Sequence, residues 1–149
     1  MRKILRRQEV DVNLSNNKTT DETQIRELIE TWAQSVRDRD IDGILAHHAF
    51  DILLFDVPPP VQLRGIHEYR RSWEHFLRWF GDSGVFEISE LNITAGDDVA
   101  FGHGLIRCSG TEASPYKVEL VVRLTICCRK IQGQWIVMHE HHSEPSAGA

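Results

Sequence analysis

The chain has 149 residues, 41% of them hydrophobic and 26% charged, which is enough for one domain with a real core and too few for two ordinary ones. Its net charge of −5 hides an asymmetry: residues 1–20 hold five basic and two acidic side chains, whereas the other 129 hold twelve and twenty. A body that acidic excludes a phosphate-gripping nucleic-acid surface, and no stretch approaches the roughly 18 apolar residues of a membrane-spanning helix.

Residues 1–19 read as a basic, flexible leader without the apolar core of a secretory signal, because Ile4 and Leu5 are the only apolar pair before Arg6 and Arg7. The run Asn13-Leu14-Ser15-Asn16-Asn17 interrupts helical periodicity. Thr20 or Asp21 is the expected cap of a first helix, with Gln24 three residues after Asp21 as in a capping box. Ile25, Leu28, Ile29, Trp32, Ala33 and Val36 then follow at helical spacing. Asp40 is placed to cap a short second helix carrying Ile41, Ile44 and Leu45. His47 and His48 follow it and read as surface or pocket-mouth residues.

The run Ile52-Leu53-Leu54-Phe55 suits a buried strand, ended by Pro58-Pro59-Pro60, which lack amide donors. A third helix is predicted from about Ile66 to Phe80, with Ile66, Tyr69, Trp73, Phe76, Leu77 and Phe80 on one face and Gly81 as its stop. Trp73, Trp79 and Phe80 read as core. Beyond Gly84 the period changes to two. Strands are predicted near 85–95, 98–109, 116–130 and 134–143, separated by turn signals at Gly96-Asp97, from Gly110 to Pro115, and at Gln132-Gly133. Helices followed by a strand meander imply a single α+β domain over 20–145, with a short tail at 146–149. Three cysteines, two of them adjacent at Cys127-Cys128, do not form a disulfide framework, so a reduced, cytoplasmic setting is expected.

The order helix, short helix, strand, helix, four long strands resembles the nuclear transport factor 2-like superfamily, above all its SnoaL-like and ketosteroid-isomerase-like members. The resemblance rests on Asp40-Ile41, Leu63-Arg64-Gly65, Gly133-Gln134-Trp135 and His139-Glu140-His141-His142-Ser143. It implies a cone-shaped, curved antiparallel sheet wrapped around the three helices, a pocket inside the cone, and a homodimer formed through the sheet. Steroid isomerases use an Asp base together with a Tyr and a protonated Asp as oxyanion donors. Laid on this chain, those positions fall on Asp56, Trp32 and Ile126, so the base is retained and the two donors are changed. The pocket arginines of the similar kinase association domains fall on His103, Ile126 and His142.

On that resemblance the cone interior holds Phe101, His103, Leu105 and Arg107 from one strand and Met138, Glu140 and His142 from the last. Trp32, Phe101, Leu105, Ile126 and Met138 form apolar walls, and Tyr69, Arg107 and Glu140 supply polar contacts. Asp56 is the candidate base, with His103 and His142 as polarising donors, in a cofactor-independent isomerase, cyclase or hydratase reaction on a small carbonyl or cyclic substrate. The alternative is a module that binds a small ligand or dimerises without catalysis. Asp56 also suits a plain turn-forming role before the prolines. His139 and His141 share a strand face with Arg123, Thr125 and Ser143, which leaves three possibilities open: a polar network at a dimer contact, a metal pair completed by Cys127, or a place in the pocket itself. The partners expected are a small molecule and a second copy, with no nucleic acid and no membrane.

Overall fold

The computed structural model describes the backbone over residues 2–110 and 118–146 and the side chains over 18–110 and 119–146. The turn expected between 110 and 115 and the tail beyond 146 fall largely outside these residues.

The first helix, α1, runs Arg2–Arg37, so the backbone of the expected leader continues it rather than preceding it. Neither Gly nor Pro occurs before Gly43, so no residue in this stretch forbids helix, and Asn and Ser only weaken it. Asp21 is therefore not a cap. It sits inside the helix, buried, where Oδ1 accepts Lys130 Nζ at 3.0 Å and Trp135 Nε1 at 3.1 Å. The stripe Ile25, Ile29, Trp32, Ala33 and Val36 is buried as its spacing requires.

Helix α2 (Ile41–Leu45) starts at Asp40, whose side chain accepts the Gly43 amide at 3.1 Å. Helix α3 (Ile66–Phe80) buries Tyr69, Trp73, Leu77 and Phe80 and stops at Gly81, where φ is +66°. Arg39 fastens that end, donating to the carbonyls of Leu77 and Gly81 at 2.7 and 2.9 Å, where the helix runs out of its own donors.

Strands β1 (His48–Phe55), β2 (Leu63–Arg64), β3 (Val85–Ala95), β4 (Val99–Gly110), β5 (Val118–Ile131) and β6 (Gln134–Ser143) form one sheet in the order β2-β1-β6-β5-β4-β3. The β1–β6 pair is parallel and every other pair antiparallel. The sheet is curved and unclosed, and the helices cover its inner face. Two irregularities set which side chains face inward. On β3, Glu90 and Leu91 occupy the space opposite Gly104, with Glu90 at φ +53°. On β6, Val137 pairs with Cys128 and His139 with Cys127, which leaves Met138 as an extra residue.

Candidate active site at the Asp56–His142–Glu140 cluster

The β6 bulge re-phases the strand. Trp135 and Val137 point inward before it, and Glu140 and His142 point inward after it, although strict alternation would have opposed the two pairs. Across the sheet, the start of β1 brings His48 and the residue after its end brings Asp56 to either side of these two, while α3 supplies Tyr69 and α1 supplies Trp32.

Glu140 is fully buried and forms the centre of the cluster. Its Oε1 lies 2.7 Å from His48 Nε2 and accepts the Tyr69 hydroxyl at 2.8 Å. Tyr69 Oη in turn accepts the Trp32 indole N–H at 3.2 Å. Oε2 of Glu140 is 3.2 Å from His142 Nε2, an ion-pair approach whose angle falls short of a hydrogen bond. On its other edge, His142 Nδ1 stands 3.4 Å from Asp56 Oδ1. The same oxygen also accepts the Val57 amide at 2.8 Å, so Asp56 does shape its own turn.

The charges follow from these contacts. Burial opposes a charge on His142, but the Asp56 and Glu140 carboxylates outweigh it and hold the imidazole up to about 9. Burial likewise pushes Glu140 up, and its contacts with His142 and His48 more than reverse this, bringing it down to about 2. Burial first, then the neighbouring Glu140, raises the Tyr69 phenol well above its ordinary value, so it acts as a donor. The indole N–H groups of Trp73 and Trp32 pull weakly the other way, although that of Trp73 makes no hydrogen bond among the described residues.

Asp56 and His142 both line a cavity of about 640 Å³ between α3 and the sheet. Its walls are mainly apolar: Trp73, Phe76 and Trp79 from α3, and Phe86, Ile106 and Val122 from the strands. The lining on α3 extends from Ser72 to Trp79, about 10 Å at helical rise. Cys108 also lines the cavity, but burial pushes its thiol up to about 11, so it contributes bulk rather than a thiolate.

Of the expected site residues, Asp56 and His142 meet at the cavity, whereas Glu140, Tyr69 and Trp32 stand behind His142 and do not line it. Ile126 is fully buried in the core, and Met138 lies half-buried at the bulge. Phe101, His103 and Arg107 require correction. On β4 the even-numbered residues from Ala100 to Gly110 are buried, together with Ser109, so the expected inner set faces outward. Phe101 is 47% exposed, and Arg107 binds Glu87 at 2.6 Å and Glu119 at 3.1 Å on the outer surface. The reason is steric: Gly102 faces Ile126, and a Cβ there would already lie 3.2 Å from its Cγ2. Half-buried Leu105 shares the outer parity. Arg123, Thr125 and His141 lie on this outer face too. His139 Nδ1 meets the Leu53 carbonyl at 2.6 Å, and Phe55 packs edge-on against both His139 and His141. Among the described residues, no three His, Cys, Asp or Glu side chains are grouped to hold a metal.

Two features of the site escape sequence reasoning: the place of His48 behind the cavity wall, and the cavity role of Trp73, Phe76 and Trp79. The tryptophan-rich spacing on α3 is the available signal for the latter.

The model of the SnoaL-like domain matches residues 25–147. The chain belongs to the SnoaL-like family. Among solved structures, this SnoaL-like chain is similar to an NTF2-like protein of unknown function from Pseudomonas putida. The two share 40% identity over 85% of this chain and 88% of the other, with a TM-score of 0.76. A ketosteroid isomerase-like protein from Erwinia carotovora atroseptica shares the fold at 19% identity, covering 85% and 98% of the two chains with a TM-score of 0.72. An NTF2-like protein with a cystatin-like fold from Novosphingobium aromaticivorans does so at 14%, covering 88% and 86%, TM-score 0.74. No curated protein matches the chain. No helix among the described residues is long and apolar enough to cross a membrane.

Proposed function

We propose that this SnoaL-like protein is a cofactor-independent enzyme that moves a proton on a small, largely apolar carbonyl or cyclic substrate. One observation carries the reading: a carboxylate and an imidazole, 3.4 Å apart, share the wall of an otherwise apolar cavity. The volume suits a compact ring compound.

Asp56 is the base. Its Oδ1 accepts the Val57 amide, which leaves Oδ2 to receive a proton from a carbon next to a carbonyl. His142, whose charge is favoured by Asp56 and by Glu140 behind it, presents Nδ1–H to the oxygen on which negative charge develops. Trp73 packs beside this pair as part of the cavity wall, with its N–H buried. Return of the proton from Asp56 to another carbon completes an isomerisation. Departure of a hydroxyl, protonated by His142, completes a dehydration.

Exchange of substrate α-protons with deuterated water, followed by NMR over a panel of cyclic ketones, tests this whatever product the enzyme makes. The wild type should exchange at least one of them, and Asp56→Asn should slow that exchange by about 100-fold or more. Undiminished exchange in Asp56→Asn overturns the role of Asp56. Ligands that bind without exchanging would instead support a non-catalytic binding protein.

A further inference from the structure

The contacts around Glu140 carry a proton count that the Asp56–His142 pair alone does not use. His48 Nδ1 lies 2.8 Å from the Ala46 carbonyl, which can only accept, so Nδ1 carries hydrogen. Nε2 lies 2.7 Å from Glu140 Oε1. Tyr69 has one hydroxyl hydrogen, and the Trp32 N–H occupies the acceptor side of that hydroxyl, so the Tyr69 hydrogen can serve either Oε1 at 2.8 Å or Nε2 at 3.0 Å. A carboxylate and a bare ring nitrogen do not sit 2.7 Å apart, since both would be acceptors. One hydrogen must lie between them, in a place where both side chains are wholly buried.

We propose that His48 holds that hydrogen, giving a charge-balanced buried row Asp56⁻–His142⁺–Glu140⁻–His48⁺, and that His48 acts through Glu140 to set how readily His142 gives up its proton. Most other groups facing the row are neutral: Tyr69 and Trp73 from α3, Trp32 from α1, and the thiols of Cys108 on β4 and Cys128 on β5, both kept protonated by burial; the carboxylate of Glu144, just past β6, acts on Cys108 from the Asp56 end.

The balance has a consequence for the chemistry. When the C–H proton passes to Asp56 and the His142 Nδ1 proton passes to the substrate oxygen, the row becomes neutral Asp56, neutral His142, Glu140⁻ and His48⁺. Its sum is still zero, so no net charge is created in the interior during the transfer. With a neutral residue at position 48, Glu140 would face His142 alone and draw the imidazole proton more strongly, making His142 a weaker acid. His48 is thus a positioning residue. Its part in turnover rests on the acid role given to His142 above, whereas the protonation pattern does not.

Imidazole ¹⁵N NMR of the full chain tests the pattern directly. In the wild type near neutral pH, both nitrogens of His48 and both of His142 should show protonated shifts. In His48→Gln, which keeps an N–H donor toward Glu140 and removes the charge, loss of the His142 proton should require about tenfold lower proton concentration. A bare Nε2 on wild-type His48, or an unmoved His142 titration in folded His48→Gln, overturns the proposal. If His48→Gln does not fold, the wild-type shifts alone decide. The measurement uses no substrate, so absent α-proton exchange would refute the enzymatic reading while leaving this result to stand or fall separately.

Discussion

Asp21 and Trp135 are 114 positions apart in sequence and joined by one hydrogen bond of 3.1 Å, in which the indole N–H of β6 donates to a carboxylate inside α1. Lys130 shares the same oxygen at 3.0 Å and lies over the Trp135 ring at 5.6 Å. The contact pins the first helix to the β5–β6 turn. Asp21→Ala leaves a buried indole N–H without a partner and should cost about 1–3 kcal/mol in denaturant unfolding. Asp21→Asn, which retains an acceptor oxygen, should cost less. Equal stability of all three would show that the contact does not hold the helix.

Stability should follow pH through His142 and Glu140. His142 is raised to about 9 from 6.5, so its contribution is complete below about 6.5 and is lost as pH climbs through about 9. Glu140 is lowered to about 2 from 4.5, so its contribution is complete above about 4.5 and is lost as pH falls toward 2. Unfolding midpoints measured across this range should form a plateau between about 4.5 and 6.5 and decline on both sides. The alkaline decline should shrink in His142→Gln, and an unchanged decline there would assign it wholly to other groups.

Much of the architecture is legible in the sequence. Helix α3 and the strands after Gly84 lie within a residue or two of their predicted bounds, because periodicity and Gly or Pro punctuation fix such elements locally. Side-chain direction is less legible, since it depends on register. The Met138 bulge breaks the alternation of β6, so Trp135 and Glu140 share the interior despite opposite parity. On β4 the family resemblance points to the wrong parity for the inner face. Arg107 bears the outward marker: Glu87 directly across the sheet and Glu119 diagonally make a three-charge group that a dry cavity would not tolerate. Asp21 misleads for a different reason. An Asp followed by Gln three residues later has the pattern of a cap, but the residues before it do not stop the helix.

Gly104 tests why small residues line the inside of β4. A Cβ there would lie 3.0 Å from the Ser89 carbonyl oxygen and 3.4 Å from Leu91 Cα, both backbone atoms of the β3 bulge. Gly104→Val should therefore destabilise the fold by about 1–3 kcal/mol through crowding, read from thermal or denaturant unfolding. A neutral effect would mean that the bulge relaxes freely and does not set the curvature.

The central claim is that Asp56 and His142 place opposite charges side by side on the wall of one cavity. The affinity of a phenol ionised at about pH 8, such as 4-nitrophenol, measures this most directly, since the anion imitates an enolate oxygen. The account predicts that the phenolate binds the wild type, binds His142→Gln about tenfold or more weakly, and binds Asp56→Asn more tightly, because the first change removes the attracting charge and the second the repelling one. Equal affinity across the three proteins would contradict it.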